Sequence, residues 1–308
     1  MTTIHVTKGH GTQNDFVMLD DRTAHADVSG ALVRALCDRH AGVGGDGLIR
    51  LVPSTAVPEA APLLAEHPAA TWFMDYRNAD GSIAEMCGNG VRVFAAFLES
   101  LGEWGGRSEL VVGTRAGARV VHREAPGWFA VDMGPWALPG GAEAVAAGFD
   151  AEVQVPGLDV TRPALSVDLG NPHTVLALAG LDELDAADLT RAPVVTPPPA
   201  AGTNVELVVP LGESVDERGA TVGRVRMRVH ERGVGETRSC GTGACAAALA
   251  VRTWAGPGAP DTWLVDVPGG QVRVRVLDSG HVELGGPAVL VADLAVNLDA
   301  LPGAPSAT

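Results

Sequence analysis

Lysine is almost missing from this chain. Lys8 is the only one among 22 basic residues, which face 37 acidic ones. The net charge of −15 argues against nucleic acid and anionic membrane surfaces as partners, because both need clustered Lys and Arg. Aromatic residues are also scarce, at 4%, while 46% of the chain is hydrophobic. A sizeable core is therefore available, built mostly of Val, Leu and Ala. Cysteine occurs only at Cys37, Cys87, Cys240 and Cys245, too sparsely for a disulfide scaffold, so a reduced cytoplasmic setting is expected. No apolar run reaches the roughly 18 residues of a membrane span. No stretch has the blocks of a signal peptide, and Met1-Thr2-Thr3-Ile4-His5-Val6 reads instead as the start of a first strand. A Walker A sequence is lacking. Gly42-Val43-Gly44-Gly45 departs from the G-x-G-x-x-G order and leads into a strand, so no nucleotide site is expected.

What is present is a pair of similar stretches. Glu85-Met86-Cys87-Gly88-Asn89-Gly90 and Arg238-Ser239-Cys240-Gly241-Thr242-Gly243 share C-G-x-G, and each precedes a helix-forming run, Val91 to Leu101 and Ala244 to Trp254. The two cysteines are 153 positions apart in a chain of 308. Asn78 lies nine residues before Cys87, and Glu231 nine before Cys240, each after an expected strand. Asn14 and Asn171, 157 positions apart, sit on polar glycine loops early in each half. The pattern reads as a duplication, with one thiol per half and no shorter solenoid repeat. A cysteine at a helix N-terminus feels outward-pointing N–H groups and the positive end of the dipole, which is expected to lower its pKa. Two such turns facing each other would hold a carboxylate on converging amides with a sulfur on either side. That suits removing a proton from one face of a carbon and returning one to the other. The plainer reading of each cysteine is a small buried hydrophobe.

The remaining candidates are double-edged. Asn14, Asn171 and Asn204 can bind ammonium or carboxylate groups, or simply close Asx turns. Arg232 can grip a carboxylate and Glu231 an ammonium, or both can be solvated charges at a strand end. His173 can tune a thiol or bond to backbone. Asp46 reads as a turn residue. Cys245 reads as core, and no further ligands accompany it and Cys240 at zinc spacing, so no metal is expected.

Along the chain, strands are expected at Ile4–Lys8, Phe16–Asp20, Leu48–Val52 and Trp72–Tyr76, with a helix at Ala31–Asp38 capped by Ser29. Gly9–Asp15 reads as a loop and Pro53–Ala70 as a surface insertion. Short antiparallel strands follow near residues 110–133. Gly134–Gly148 reads as irregular and as the candidate boundary. The second half is expected to repeat strands at residues 152–155, 164–169, 174–179, 205–209, 223–230, 263–267, 271–277 and 281–284, with a helix at Leu181–Leu189 and a proline-rich loop at Ala192–Gly202. Residues 288–300 are expected to return to the first half. The domains are thus 1–133, 134–287 and a disordered tail at 301–308.

These motifs resemble the diaminopimelate epimerase family. The match runs through Lys8-Gly9-His10-Gly11-Thr12-Gln13-Asn14-Asp15-Phe16, Tyr76-Arg77-Asn78-Ala79-Asp80-Gly81-Ser82, Gly170-Asn171-Pro172-His173, Thr203-Asn204-Val205 and Glu231-Arg232-Gly233-Val234-Gly235-Glu236-Thr237, besides the two cysteine stretches. The resemblance implies an α/β (α+β) fold of two pseudo-symmetric halves, each a mostly antiparallel sheet wrapped around a central helix, with the active site in the cleft between them. It implies a cofactor-independent, homodimeric amino-acid epimerase acting on diaminopimelate in lysine and peptidoglycan precursor synthesis. Cys87 and Cys240 become the catalytic thiols. The backbone of Gly88, Asn89, Gly241 and Thr242 would hold the reacting carboxylate. Asn14, Asn78, Asn171, Asn204 and Arg232 would fix the rest of the substrate, while His173 and Glu231 would orient it and influence the thiols. One departure is Gly47, where some members carry a substrate-contacting Gln. A related two-cysteine racemase for another amino acid, and a redox or thiol-metal protein, are the alternatives.

Overall fold

A computed structural model describes residues 3–304. The chain folds as two compact units. One runs up to Val131 and resumes at Gly286, and the other is Asp132–Gly285.

The first unit contains β1 (Thr3–Gly11), β2 (Asn14–Asp20), α1 (Gly30–Cys37), β3 (Gly47–Pro53), α2 (Ala61–Glu66), β4 (Trp72–Asn78), α3 (Gly88–Ser100), β5 (Glu109–Thr114), β6 (Gly117–Ala125) and the first half of β7 (Trp128–Pro135). The second contains α4 (Gly141–Ala147), β8 (Ala151–Gln154), β9 (Arg162–Asp168), β10 (Pro172–Ala177), α5 (Leu181–Ala186), β11 (Val194–Thr196), β12 (Asn204–Val215), β13 (Thr221–Glu231), β14 (Gly235–Thr237), α6 (Gly241–Ala255), β15 (Thr262–Val267), β16 (Gly270–Val276) and most of β17 (His281–Pro287). The last strand, β18 (Val289–Asn297), belongs to the first unit, where it pairs antiparallel with β1. The result is a mixed α/β fold dominated by strands.

The two units repeat one topology. In the first, β1–β2 is antiparallel, β2–β3 parallel, β3–β4 antiparallel, β4–β5 parallel, and β5–β6–β7 antiparallel. In the second, β9–β10, β10–β12, β12–β13, β13–β15 and β15–β16–β17 follow the same sequence of directions. Each unit packs its long helix against its own strands: α3 on β1, β2, β3, β6 and β18, and α6 on β9, β10, β12, β13, β15 and β16. Both helices are apolar nearly all round, as a helix enclosed by its sheet must be. Gly88 through Leu98 and Gly243 through Val251 are buried. Val17, Leu36 and Leu48 anchor a core cluster in the first unit, and Val153, Leu176 and Leu207 one in the second.

Several expectations are corrected. Gly9-His10-Gly11 is strand rather than loop, because only Thr12 and Gln13 turn, with φ of 51° and 64°. Those values suit the two-residue hairpin whose twist matches its strands. Asn14 therefore opens β2. Residues 53–70 lie largely at the surface, as expected, but carry structure of their own: two 3-10 turns and α2 fold there, and Val57 and Ala60 pack with Val52 and Phe73. Gly134–Gly148 contains α4, ended by Gly148 in the left-handed conformation (φ 80°). The chain changes unit within β7 instead. Ala192–Gly202 contains β11, which pairs with β8. Leu301 packs on the first unit's core, and residues 305–308 of the expected tail lie outside the described residues. Among the described residues, no helix is long and apolar enough to cross a membrane.

Candidate active site

Cys87 and Cys240 occupy the same place in the two units, as the N-cap residues of α3 and α6. Both have the extended backbone an N-cap requires, with φ/ψ of −141°/120° and −113°/118°. The first-turn amides of each helix therefore point outward beside a sulfur.

The surroundings of the two sulfurs differ. In the first unit, the Cys87 thiol donates to Asn14 Oδ1 at 3.4 Å, and Asn89 Nδ2 donates to the same oxygen at 3.3 Å. The orientation of Asn14 is fixed from behind. Its Nδ2 donates to Asp46 Oδ2 at 2.6 Å, and Arg39 holds the other Asp46 oxygen at 2.6 Å. The buried Arg92 guanidinium donates to Asn89 Oδ1 at 2.6 Å, which turns the Asn89 amide nitrogen toward Asn14. Asn78, at the end of β4, donates to Ser82 Oγ at 3.0 Å.

In the second unit, the Cys240 sulfur receives the Gly243 N–H at 3.3 Å and lies 3.6 Å from Thr242 Oγ1. Asn171 Nδ2 donates to that hydroxyl at 3.3 Å, and Asn171 Oδ1 lies 3.1 Å from His173 Nε2. Asn204 Oδ1 accepts the Arg232 N–H at 2.9 Å, and its Nδ2 donates to Pro172 O at 3.2 Å, so both ends of this amide brace backbone. The Arg232 side chain donates to Ala201 O at 2.6 Å, and Glu231 accepts from the Thr237 hydroxyl.

The sequence model of the Diaminopimelate epimerase family matches residues 6–138 and 165–291. The chain belongs to the diaminopimelate epimerase family. It is 48% identical over 299 residues to the diaminopimelate epimerase of Streptomyces coelicolor, covering 95% of both chains. It is 45% identical to that of Thermobifida fusca, covering 96% of this chain and 98% of the relative. Among solved structures, a phenazine biosynthesis protein of the PhzF family from Bacillus anthracis aligns with a TM-score of 0.64 at 17% identity, covering 96% and 100% of the two chains. That last likeness concerns the fold alone.

The ranges matched by the family contain both cysteine turns and every candidate polar residue, from Asn14 to Thr242. Gly47 opens β3 as Asn204 opens β12, so the two are topological counterparts. The chain leaves no room for a side chain at Gly47. A Cβ there would lie 2.4 Å from Arg77 O and 2.7 Å from the Tyr76 ring, closer than any real contact.

The expectation of a lowered thiol pKa is reversed at Cys240. Burial pushes this thiol well above its usual range, and Glu231 and Glu206 add to the effect against the hydrogen bonds from Thr242 and Gly243. Cys245 is fully buried, as expected of a core residue. Cys37 is raised to about 12 by burial, which keeps it a neutral thiol. Among the described residues, no cluster of His, Cys, Asp and Glu has the makings of a metal site.

Two residues escaped the reading of the sequence. Asp46 looked like a turn residue, yet it aims Asn14. Glu206 is completely buried, 2.7 Å from His173 Nδ1. Its one signal was a lone carboxylate inside the apolar strand Val205–Val209.

Proposed function

We propose that this chain interconverts L,L- and meso-2,6-diaminopimelate by proton transfer at one α-carbon, between a thiolate on one side and a thiol on the other. The observation that carries the reading is the pair of helix-capping cysteines at matching positions of a duplicated topology, in a chain 45–48% identical to diaminopimelate epimerases. In this scheme one of Cys87 and Cys240 removes the α-proton, and the other delivers a proton to the opposite face. The two titrate as a coupled pair.

An amino-acid α-proton is very weakly acidic, so the developing carbanion needs stabilisation. Amides of Gly88, Asn89, Gly241 and Thr242, at two helix N-termini, are suited to receive charge moving onto the carboxylate. Asn14, Asn78, Asn171, Asn204 and Arg232 hold the rest of the substrate, including its distal amino-acid end. His173 and Glu231 set the electrostatics around Cys240. The raised Cys240 thiol fits a group that must hold its proton until a carbanion demands it. A cytoplasmic homodimer belongs to the same reading and is checked by light scattering of the purified chain.

The decisive assay is incubation of pure L,L-diaminopimelate in heavy water, without added cofactor, followed by NMR. The expected result is meso product carrying deuterium at the inverted α-carbon. Recovery of unlabelled, uninverted substrate would reject the proposal.

A further inference from the structure

Within the unit Asp132–Gly285, a buried carboxylate stands in the middle of an apolar strand and has no part in the scheme above. Glu206 on β12 meets His173 on β10, Oε1 to Nδ1 at 2.7 Å, and neither side chain has any exposure. The N-terminus of α6 is packed down onto the pair. A Cβ on Gly243 would lie 2.8 Å from Glu206 Oε1, so only glycine lets the helix approach this closely.

The hydrogen bonds leading away from the pair have a fixed direction. Asn171 Oδ1 can only accept, so His173 Nε2, 3.1 Å away, carries a hydrogen. Asn171 Nδ2 donates to Thr242 Oγ1 at 3.3 Å. The single hydrogen of that hydroxyl is then free to point at Cys240 Sγ, 3.6 Å away, where the Gly243 N–H already donates. At Cys87 the arrangement is the opposite, since the sulfur donates to an oxygen.

The other Glu206 oxygen, Oε2, is buried with no hydrogen-bond partner among the described residues. A bare buried anion is costly, and burial does hold this carboxyl above its usual range. The remaining oxygen, Oε1, keeps the hydrogen bond to His173 Nδ1. Besides the charge of Glu206, which raises the Cys240 thiol, the pair reaches the sulfur through this line of hydrogen bonds.

We infer that Glu206 is a positioning residue for the reaction: by holding His173 with its Nε2–H toward Asn171, it makes Thr242 a hydrogen-bond donor to the Cys240 sulfur. The inference rests on the reading of Cys240 as a reacting thiol. It has a consequence opposite in sign to that of an isolated carboxylate. Removing an isolated anion near a sulfur makes the thiolate easier to form, whereas removing the anchor of a donor line makes it harder.

The test is alkylation of the full-length protein by iodoacetamide without substrate, followed by mass spectrometry of the separate Cys240 and Cys87 peptides across pH. The charged groups facing Cys240 are Glu231 from β13 and Glu206 from β12, with His173 behind them on β10. Glu231 and His173 are unchanged in the variants. In Glu206→Leu, the midpoint for Cys240 is expected to rise by about one pH unit or more, a roughly tenfold loss of thiolate at a given pH. Cys87 should not move. Turnover of Glu206→Leu should fall about tenfold or more with KM within about threefold. In Glu206→Gln, the amide can donate to Nδ1 and preserve Nε2–H, so its Cys240 midpoint is expected within about half a unit of the parent, with most turnover restored.

A Cys240 midpoint that stays put or falls in Glu206→Leu overturns the inference. If that variant does not fold, Glu206→Gln decides alone, and a fall of more than about half a unit overturns it. Because alkylation needs no substrate, failure of the parent to epimerise diaminopimelate would defeat the functional reading while leaving this measurement to judge Glu206 separately.

Discussion

At the scale of single residues, the site depends on which way each amide points. An Asn side chain offers an acceptor at one end and a donor at the other, so its orientation decides what it presents. Asp46 takes the Asn14 donor and leaves its oxygen for Cys87. Asp46→Ala removes that constraint, and kcat/KM is expected to fall on the order of tenfold or more from misplacement, with little change in melting temperature. An unaltered kcat/KM would show that Asn14 holds its orientation without Asp46. Asp15, beside it, supports the same loop. Burial alone would raise its carboxyl, but hydrogen bonds from Arg39 and Lys8 win and hold it at about 2, against 3.8 for a free Asp. A folded-state pKa below the unfolded one gives stability that is present above about pH 4 and is lost as pH falls through about 2. Asp15→Asn is therefore expected to cost about 2 kcal/mol at neutral pH, with parent and variant converging near pH 2 in urea titrations. A gap that persists at low pH would assign the effect to packing.

Asp46 and Glu206 were illegible for a shared physical reason. A carboxylate's role is set by the partner brought to it from a distant strand or loop, and the chain shows no local trace of that partner. The cysteines, by contrast, carry their context with them, because the turn and the helix that give each sulfur its setting are its own sequence neighbours.

At the scale of elements, local signals worked where local physics decides. Ser29 caps α1 by accepting from Leu32 N at 3.2 Å, as its place before an apolar helix predicts. Ser29→Ala should lower stability by about 1 kcal/mol without touching turnover, measured by chemical denaturation. A larger loss would mean that Ser29 does more than cap. Glycine misled at the first hairpin. Gly9-His10-Gly11 suggested a loop, but glycines in a strand beside a helix serve close packing as readily as flexibility. The prolines of residues 53–70 marked a surface insertion, and within it Pro58 and Pro62 begin short helical turns, a position proline favours. Strand β14, only three residues long, offered too little pattern to be seen.

At the scale of the whole molecule, duplication was readable from the spacing of two C-G-x-G turns and two Asn-bearing segments. The repeated order of parallel and antiparallel pairings gives it a structural basis. The passage between units falls inside the continuous strands β7 and β17, at 131/132 and 285/286, each within two residues of the expected 133/134 and 287/288, instead of at a glycine-rich linker. Gly47 marks how far the halves have diverged, since its counterpart Asn204 has room for a side chain and it has none. The central claim is that each unit contributes one indispensable sulfur. It is tested most directly by the turnover of Cys87→Ser and of Cys240→Ser on L,L-diaminopimelate, alongside their circular dichroism melts. Both variants are expected to lose on the order of 10² to 10⁴ in kcat while melting like the parent; parental turnover in either one would contradict the two-thiol account.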